Sequence, residues 1–394
     1  MPVRVRPFKA IKLRWITRPS RPVQQPATPQ EGRDLRLDTL RGWMLIAMAI
    51  NHLDTELRVL TDYPFGFVST AEGFVFLSGL VAGLVYTRLS VSKSPAELRR
   101  RARSRAGEIY RSHLVCYLVV LAAMRLPVML GRAASWASPS LFAAHPMIAA
   151  LLGAALLYQP GLLDILPMYC IFMLALPPLL AAFRKGWWGW VFAVSAGLWL
   201  LAQTGLHERV EIRLNAYIPV NLGVFDPLAW QLLFVGGVFF GWNWARSSRL
   251  LLSFHPAMLL LCLVVAVPLW LLLKYQHPPA GVSMDQVWTW ADKTHVSPLR
   301  LVNFIVLAYL IAAVTIHRPR LFMFRPLAFL GQHSLAVFTV QATACAILVS
   351  QPCFSSSFAH RTFTALGLCA VLFVTAWLHQ AYISRRSAAA GRSG

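Results

Sequence analysis

Apolar stretches of about 18 or more residues recur from Gly42 to Ile383, separated by short polar segments. Each could cross a hydrocarbon layer of ~30 Å as a helix rising 1.5 Å per residue. A membrane β-barrel would instead show segments of roughly ten residues alternating in polarity, and none stands out. The pattern predicts an all-α polytopic membrane protein. Ten spans are expected, at 42–60, 67–87, 112–130, 164–183, 186–202, 229–245, 250–273, 299–316, 327–349 and 361–383. One further apolar stretch, 141–158, is long enough to count as a span, and counting it would invert everything downstream.

Composition supports this class. The chain is 57% hydrophobic and 13% charged, against about 45–50% and 25% in soluble domains, which excludes a soluble multidomain enzyme. The net charge of +22 changes the picture only through its placement. Short loops that carry Lys and Arg stay cytoplasmic. With ten spans and both termini inside, the inner segments hold 28 basic and 5 acidic residues, +23, and the outer side 9 and 10, −1. Topology accounts for the basicity, so nucleic-acid binding is not expected, and 141–158 is expected to be re-entrant or interfacial on the outer side. The same reading divides the chain into a disordered basic arm, 1–33, lying against anionic lipid, a transmembrane domain, 34–384, and a cytoplasmic tail, 385–394. Residues 1–41 lack the apolar core of a cleavable signal peptide, so the first span is expected to act as the insertion signal. Six cysteines without CxxC spacing indicate neither a disulfide framework nor a metal site. No internal repeat stands out, which counts against a transporter built from inverted halves.

Ionisable groups within spans are costly and are therefore functional candidates. In RGWMLIAMAINH, His52 falls about 15 Å into the first span and Arg41 at its inner mouth. Eleven residues are close to three turns, so both lie on one face, ~16.5 Å apart, with Leu45 and Met48 between them. That distance matches the reach of a pantetheine arm: an acyl-CoA could rest phosphates near Arg41 and its thioester near His52. The bland alternative has Arg41 snorkelling to lipid phosphate and His52 hydrogen-bonding a neighbouring helix. In AEGFVFLSGLVAG, Glu72 shares a face with Phe76, Gly79 and Gly83, a GxxxG surface for close helix approach. A short hairpin then sets Glu72 beside His52 as orienter to base, unless it is a structural hydrogen-bonding group. Asp164 either meets a sugar hydroxyl or caps a helix. Asp38 is expected to cap the first helix and hold Arg41. His333 lies near the inner face, and Trp230 with Gln231, Trp288 and Trp290 offers aromatic surface for sugar rings or for the membrane interface. The run RRRARSR, 99–105, containing Arg99, Arg100 and Arg101, is either a topology anchor or a dock for a polyphosphorylated donor.

The blocks RDLRLDTLRGWMLIAMAINH, FGFVSTAEGFVFLSGLVAGLVYTR, DILPMY, PLAWQLLFVGG, KTHVSPLR and GQHSLAVF together resemble the OpgC-type membrane proteins that succinylate osmoregulated periplasmic glucans, and more loosely the acyltransferase-3-like superfamily. The resemblance implies a ten-helix bacterial inner-membrane O-acyltransferase that takes an acyl group, succinyl by family, from cytoplasmic acyl-CoA as co-substrate and esterifies a periplasmic glucan. The superfamily's R-x10-H pattern falls on Arg41 and His52, and the family's glutamate before VFLSG on Glu72. An acidic residue is expected before the histidine, where this chain has Asn51, so Glu72 or Asp54 would have to polarise His52. The resulting expectation is catalysis by His52 and Glu72, donor binding by Arg41 with Arg99–Arg101, and acceptor placement by Asp164, Asp38, His333 and Trp230. The rival is a transporter or flippase in which His52 and Glu72 relay protons.

Overall fold

The computed structural model describes residues 33–53, 55–129, 141–159, 161–247, 253–349 and 357–390. Among these the regular elements are helices, and no strand forms; a single bridge pairs Tyr158 with Asn221. Asp54 and most of the basic arm lie outside the described residues. In chain order the helices are α1 (Leu35–His52), α2 (Thr70–Ser92), α3 (Pro95–Met129), α4 (Leu141–Ala144), α5 (Pro146–Ala154), α6 (Ile165–Arg184), α7 (Trp188–Ala202), α8 (Leu206–Asn215), α9 (Pro227–Ser247), α10 (Pro256–Tyr275), α11 (Met284–Trp290), α12 (Pro298–His317), α13 (Arg325–Gln332), α14 (Ser334–Val349) and α15 (Phe358–Ala390).

The chain is a helical membrane protein, but the ten-span count is not reproduced. Among the described residues, α2, α6, α10, α12 and α15 are long and apolar enough to cross a membrane, and the number rises to seven if two bent pairs each count as one span. Those pairs are α7 with α8, bent by 55°, and α13 with α14, bent by 85°. The stretch expected to run straight from 327 to 349 therefore breaks at His333, the C-cap of α13. The first predicted span, 42–60, is corrected as well: α1 starts at Leu35 and stops at His52, and Glu56–Leu60 forms a separate 3₁₀ turn. The 141–158 stretch is broken at His145, ahead of Pro146. Its longer piece, α5, has nine residues, about 13.5 Å of helix. Tyr117 and Tyr110 of α3 hold α5 by donating to the carbonyls of Ala149 and Ala154, each at 2.7 Å.

Two close helix contacts build the centre. A Cβ at Gly79 or Gly83 of α2 would strike the carbonyls of Phe234 and Val238 on α9, and one at Gly237 or Gly241 of α9 would strike those of Phe76 and Leu80. Reciprocal small-residue faces let these two backbones touch. In the same way Gly42 of α1 faces the Leu327 carbonyl of α13, and Gly331 of α13 faces the Asp38 carbonyl of α1. This second contact locks the start of α14 against α1.

Candidate active site

Helix α1 carries both leading candidates, and α14 meets each of them. Near the start of α14, Ser334 accepts a hydrogen bond from Arg41 Nη2 at 2.6 Å. Two turns further on, the side-chain amide of Gln341 lies 3.3 Å from His52 Nδ1. Ser334, Phe338 and Gln341 are spaced i, i+4, i+7, which puts them on one helix face. The two helices thus share a seam with a guanidinium at one end and an imidazole at the other, ~16.5 Å apart along α1.

Each end opens into a cavity. The Arg41 cavity has a volume of about 1060 Å³ and is lined by five arginines, Arg33, Arg41, Arg105, Arg111 and Arg386, with Glu108 as its acidic member. Glu108 already holds Arg105 at 2.7 Å. The Arg41 guanidinium also lies over the Phe74 ring at 5.7 Å. An excess of fixed cations around a volume of this size suits a polyphosphorylated ligand. The His52 cavity is smaller, about 330 Å³, and mixed in character: Asn51, Tyr63, Ser69, Asp164 and Lys293 line it with His52, alongside apolar groups such as Ile165 and Phe225. Lys293 rests over the Phe225 ring at 5.6 Å.

Glu72 is fully buried, but its partner is not His52. Its two oxygens accept from Arg300 Nη1 and from Ser69 Oγ, both at 2.6 Å. Arg300, 1% exposed, donates from Nε to the Ala291 carbonyl at 2.7 Å and lies over the Tyr63 ring at 5.5 Å. Three residues on, Asn303 accepts from the Phe67 amide at 2.7 Å. A Cβ at Gly66, where φ is +105°, would strike the Asn303 amide, so only glycine suits that turn. Arg300 and Asn303 of α12 together anchor the segment between α1 and α2, and Tyr63 and Ser69 of that segment line the His52 cavity. The pairing of Glu72 with His52 is replaced by a pairing of Glu72 with Arg300.

The other expectations divide. Asp164 lines the His52 cavity. It occupies the N-cap position of α6 without capping it, and its carboxylate accepts from the Val224 amide at 2.8 Å. Asp38 is not the cap of α1: Asp34 is, accepting from the Arg36 amide at 2.9 Å. Asp38 lies inside the helix and pairs with Arg33 at 3.0 Å. His333 does line the Arg41 cavity, with its Nδ1 2.9 Å from Nδ1 of His379. Trp230 lines neither cavity; it is completely buried and donates to the carbonyls of Lys293 and Thr294 at 3.2 and 3.1 Å. Arg99, Arg100 and Arg101 also miss the Arg41 cavity. Arg100 and Arg101 are spent on Glu97, and α3 offers Arg105 and Arg111 instead, which line the mouth of that cavity. Asn51 donates to the Thr61 carbonyl at 3.1 Å and so ties the end of α1 to the following loop.

Set against known proteins, the chain matches the family described as OpgC protein over residues 33–384. No curated protein and no solved structure gives a match.

Proposed function

This chain belongs to the OpgC family, a family of glucan-modifying acyltransferases, and from that premise we propose that it carries a succinyl group from cytoplasmic acyl-CoA to a hydroxyl of a periplasmic glucan. The observation that supports this most is the pairing of two unlike cavities along one α1–α14 seam, a large arginine-lined one at Arg41 and a smaller one that holds His52 and Asp164. In this reading Arg41, Arg105 and Arg111 hold the donor's phosphates from the cytoplasmic side, and the pantetheine arm runs along the seam toward His52. The acceptor hydroxyl enters the His52 cavity from the other side, beside Asp164.

His52 is the general base. The hydroxyl oxygen attacks the thioester carbonyl as the imidazole takes its proton; the C–O bond forms, the C–S bond breaks, and the proton passes to the departing thiolate. A base placed in this way contributes about 10²–10⁴ in rate, and holding hydroxyl and thioester together out of water adds to it. Gln341 fixes the ring. Its Oε1 is buried without a partner among the described residues while its nitrogen faces Nδ1. A half-turn of the amide exchanges the two. Nδ1–H then donates to Oε1, and Nε2 is left with a free lone pair to act as base. Gln341 thus takes the place that an acidic residue before the histidine would have filled. Lys293 supplies positive charge near the oxyanion that forms at the carbonyl.

The test is acyl transfer from radiolabelled succinyl-CoA to a glucan in proteoliposomes, with mass spectrometry of the product. Succinylated glucan is expected. Turnover with no acylated glucan, or proton-coupled glucan uptake without a CoA donor, would overturn the reading in favour of a transporter.

A further inference from the structure

The two cavities share one lining residue among those described, Phe338. Its ring is 4% exposed and stacks on Phe74, with centroids 6.1 Å apart and planes inclined by 23°. Phe74 in turn carries the Arg41 guanidinium on its face and meets Tyr169 edge-on at 6.3 Å. Phe338 also lies on α14 midway between Ser334, which holds Arg41, and Gln341, which faces His52. Any group that travels the seam from the cationic cavity to the imidazole passes this ring.

We infer that Phe338 is a specificity-determining residue: its ring is the partition between donor and acceptor cavities, and the space beside it sets the bulk of the acyl group that can reach His52. The inference rests on the acyl-transfer reading. The ring is held by packing alone, since a phenyl group makes no hydrogen bond, so a rotamer change releases it without leaving a polar atom unpaired. The Arg41–Ser334 contact beside it is hydrogen-bonded and keeps the donor end in place while the ring moves. The closed ring also keeps water of the larger cavity from the thioester. Water would otherwise attack the same carbonyl, forming the C–O bond of a free acid as the C–S bond breaks and CoA thiol leaves.

The experiment compares wild type with Phe338→Ala, Phe338→Leu and Phe338→Trp in proteoliposomes. Acetyl-, succinyl-, hexanoyl- and benzoyl-CoA serve as donors, a glucan as acceptor, and free acid and acylated glucan are measured separately. Hydrophobic sites discriminate by about 10–200-fold per methylene, so kcat/KM for benzoyl relative to acetyl should rise at least tenfold in Phe338→Ala, less in Phe338→Leu, and fall in Phe338→Trp. The ratio of hydrolysis to transfer should rise in Phe338→Ala. Binding of unacylated CoA reports whether the arginine-lined cavity is intact; if Phe338→Ala lacks it, the Leu and Trp variants decide by their opposite shifts. An unchanged acyl profile in variants that bind CoA, with an active wild type, overturns this inference alone. A wild type that transfers no acyl group from any of these donors overturns the acyl-transfer reading and this inference with it.

Discussion

Replacing Arg300 by Met, which keeps the length of the side chain and removes its charge, should destabilise the protein far more than an exposed ion pair would. Arg300 and Glu72 have side-chain exposures of 2% and 0%, so Glu72 would be left as a buried carboxylate with Ser69 as its remaining hydrogen-bond donor. Breaking a buried pair from one side costs about 3–5 kcal/mol, because the surviving charge stays desolvated. An exposed pair contributes about 0–1 kcal/mol. At about 2 °C per kcal/mol for a chain of this length, the melting temperature in detergent should fall by about 6–10 °C. Glu72→Gln should fall less, since the Ala291 carbonyl and the Tyr63 face still attend Arg300. The double variant should be clearly more stable than the sum of the single losses predicts, with a coupling of about 1–3 kcal/mol. Activity should fall along with stability, through Tyr63 and Ser69 of the anchored segment. Differential scanning fluorimetry of the four proteins measures all of this. Strictly additive losses, or an Arg300→Met loss under about 1 kcal/mol, would refute the pairing.

Three further expectations can be checked alongside. Gln341→Leu should lower kcat by about tenfold or more while leaving KM for acyl-CoA within twofold, and Gln341→Glu should restore most of it, because a carboxylate also accepts from Nδ1–H; steady-state kinetics decides. Asp34→Ala should cost about 0.5–2 kcal/mol through loss of the α1 cap. Burial pushes the Asp34 carboxyl up, but hydrogen bonds from the Arg36 side chain and backbone and the Arg36 charge outweigh it and hold it below the usual carboxylate range. Its contribution is therefore present above the unfolded value of about 4 and is lost as pH falls through the lower folded value, so melting curves of wild type and Asp34→Ala should converge in acid. Gly237→Leu should separate α2 from α9 and abolish stable expression, since its side chain would meet the Phe76 backbone, as folded yield by gel filtration would show.

The class of fold and part of the site were legible in the sequence. Hydropathy gave the helices, the Gly79/Gly83 spacing gave a close helix contact, and the eleven-residue step gave a shared face for Arg41 and His52. The partners were not legible, because they come from 200 to 300 residues away: Ser334 and Gln341 for α1, Arg300 for Glu72. Arg300 carried a signal nonetheless, an arginine at the head of an apolar run on the outer side, yet nothing in the sequence pairs it with Glu72 until the fold buries both. Arg99–Arg101 misled for the opposite reason. A dense run of arginines attracts notice, but helical phase decides which of them face inward, and Glu97 neutralises two of them locally. Trp230 misled in the same way, since an aromatic near a span end is a sugar platform only if its face is open. The bend at His333 was hidden because both arms are apolar and composition does not record their 85° angle.

A base at His52 and a donor site at the Arg41 cavity fail in different ways when lost, and one set of single-turnover measurements separates the two. Proteoliposomes with His52→Ala should bind acyl-CoA as wild type does and transfer its acyl group to glucan about 10²–10⁴-fold more slowly. Arg41→Ala should instead weaken donor binding with chemistry largely kept once the donor is saturating. Near-normal transfer by folded His52→Ala would rule out His52 as the base.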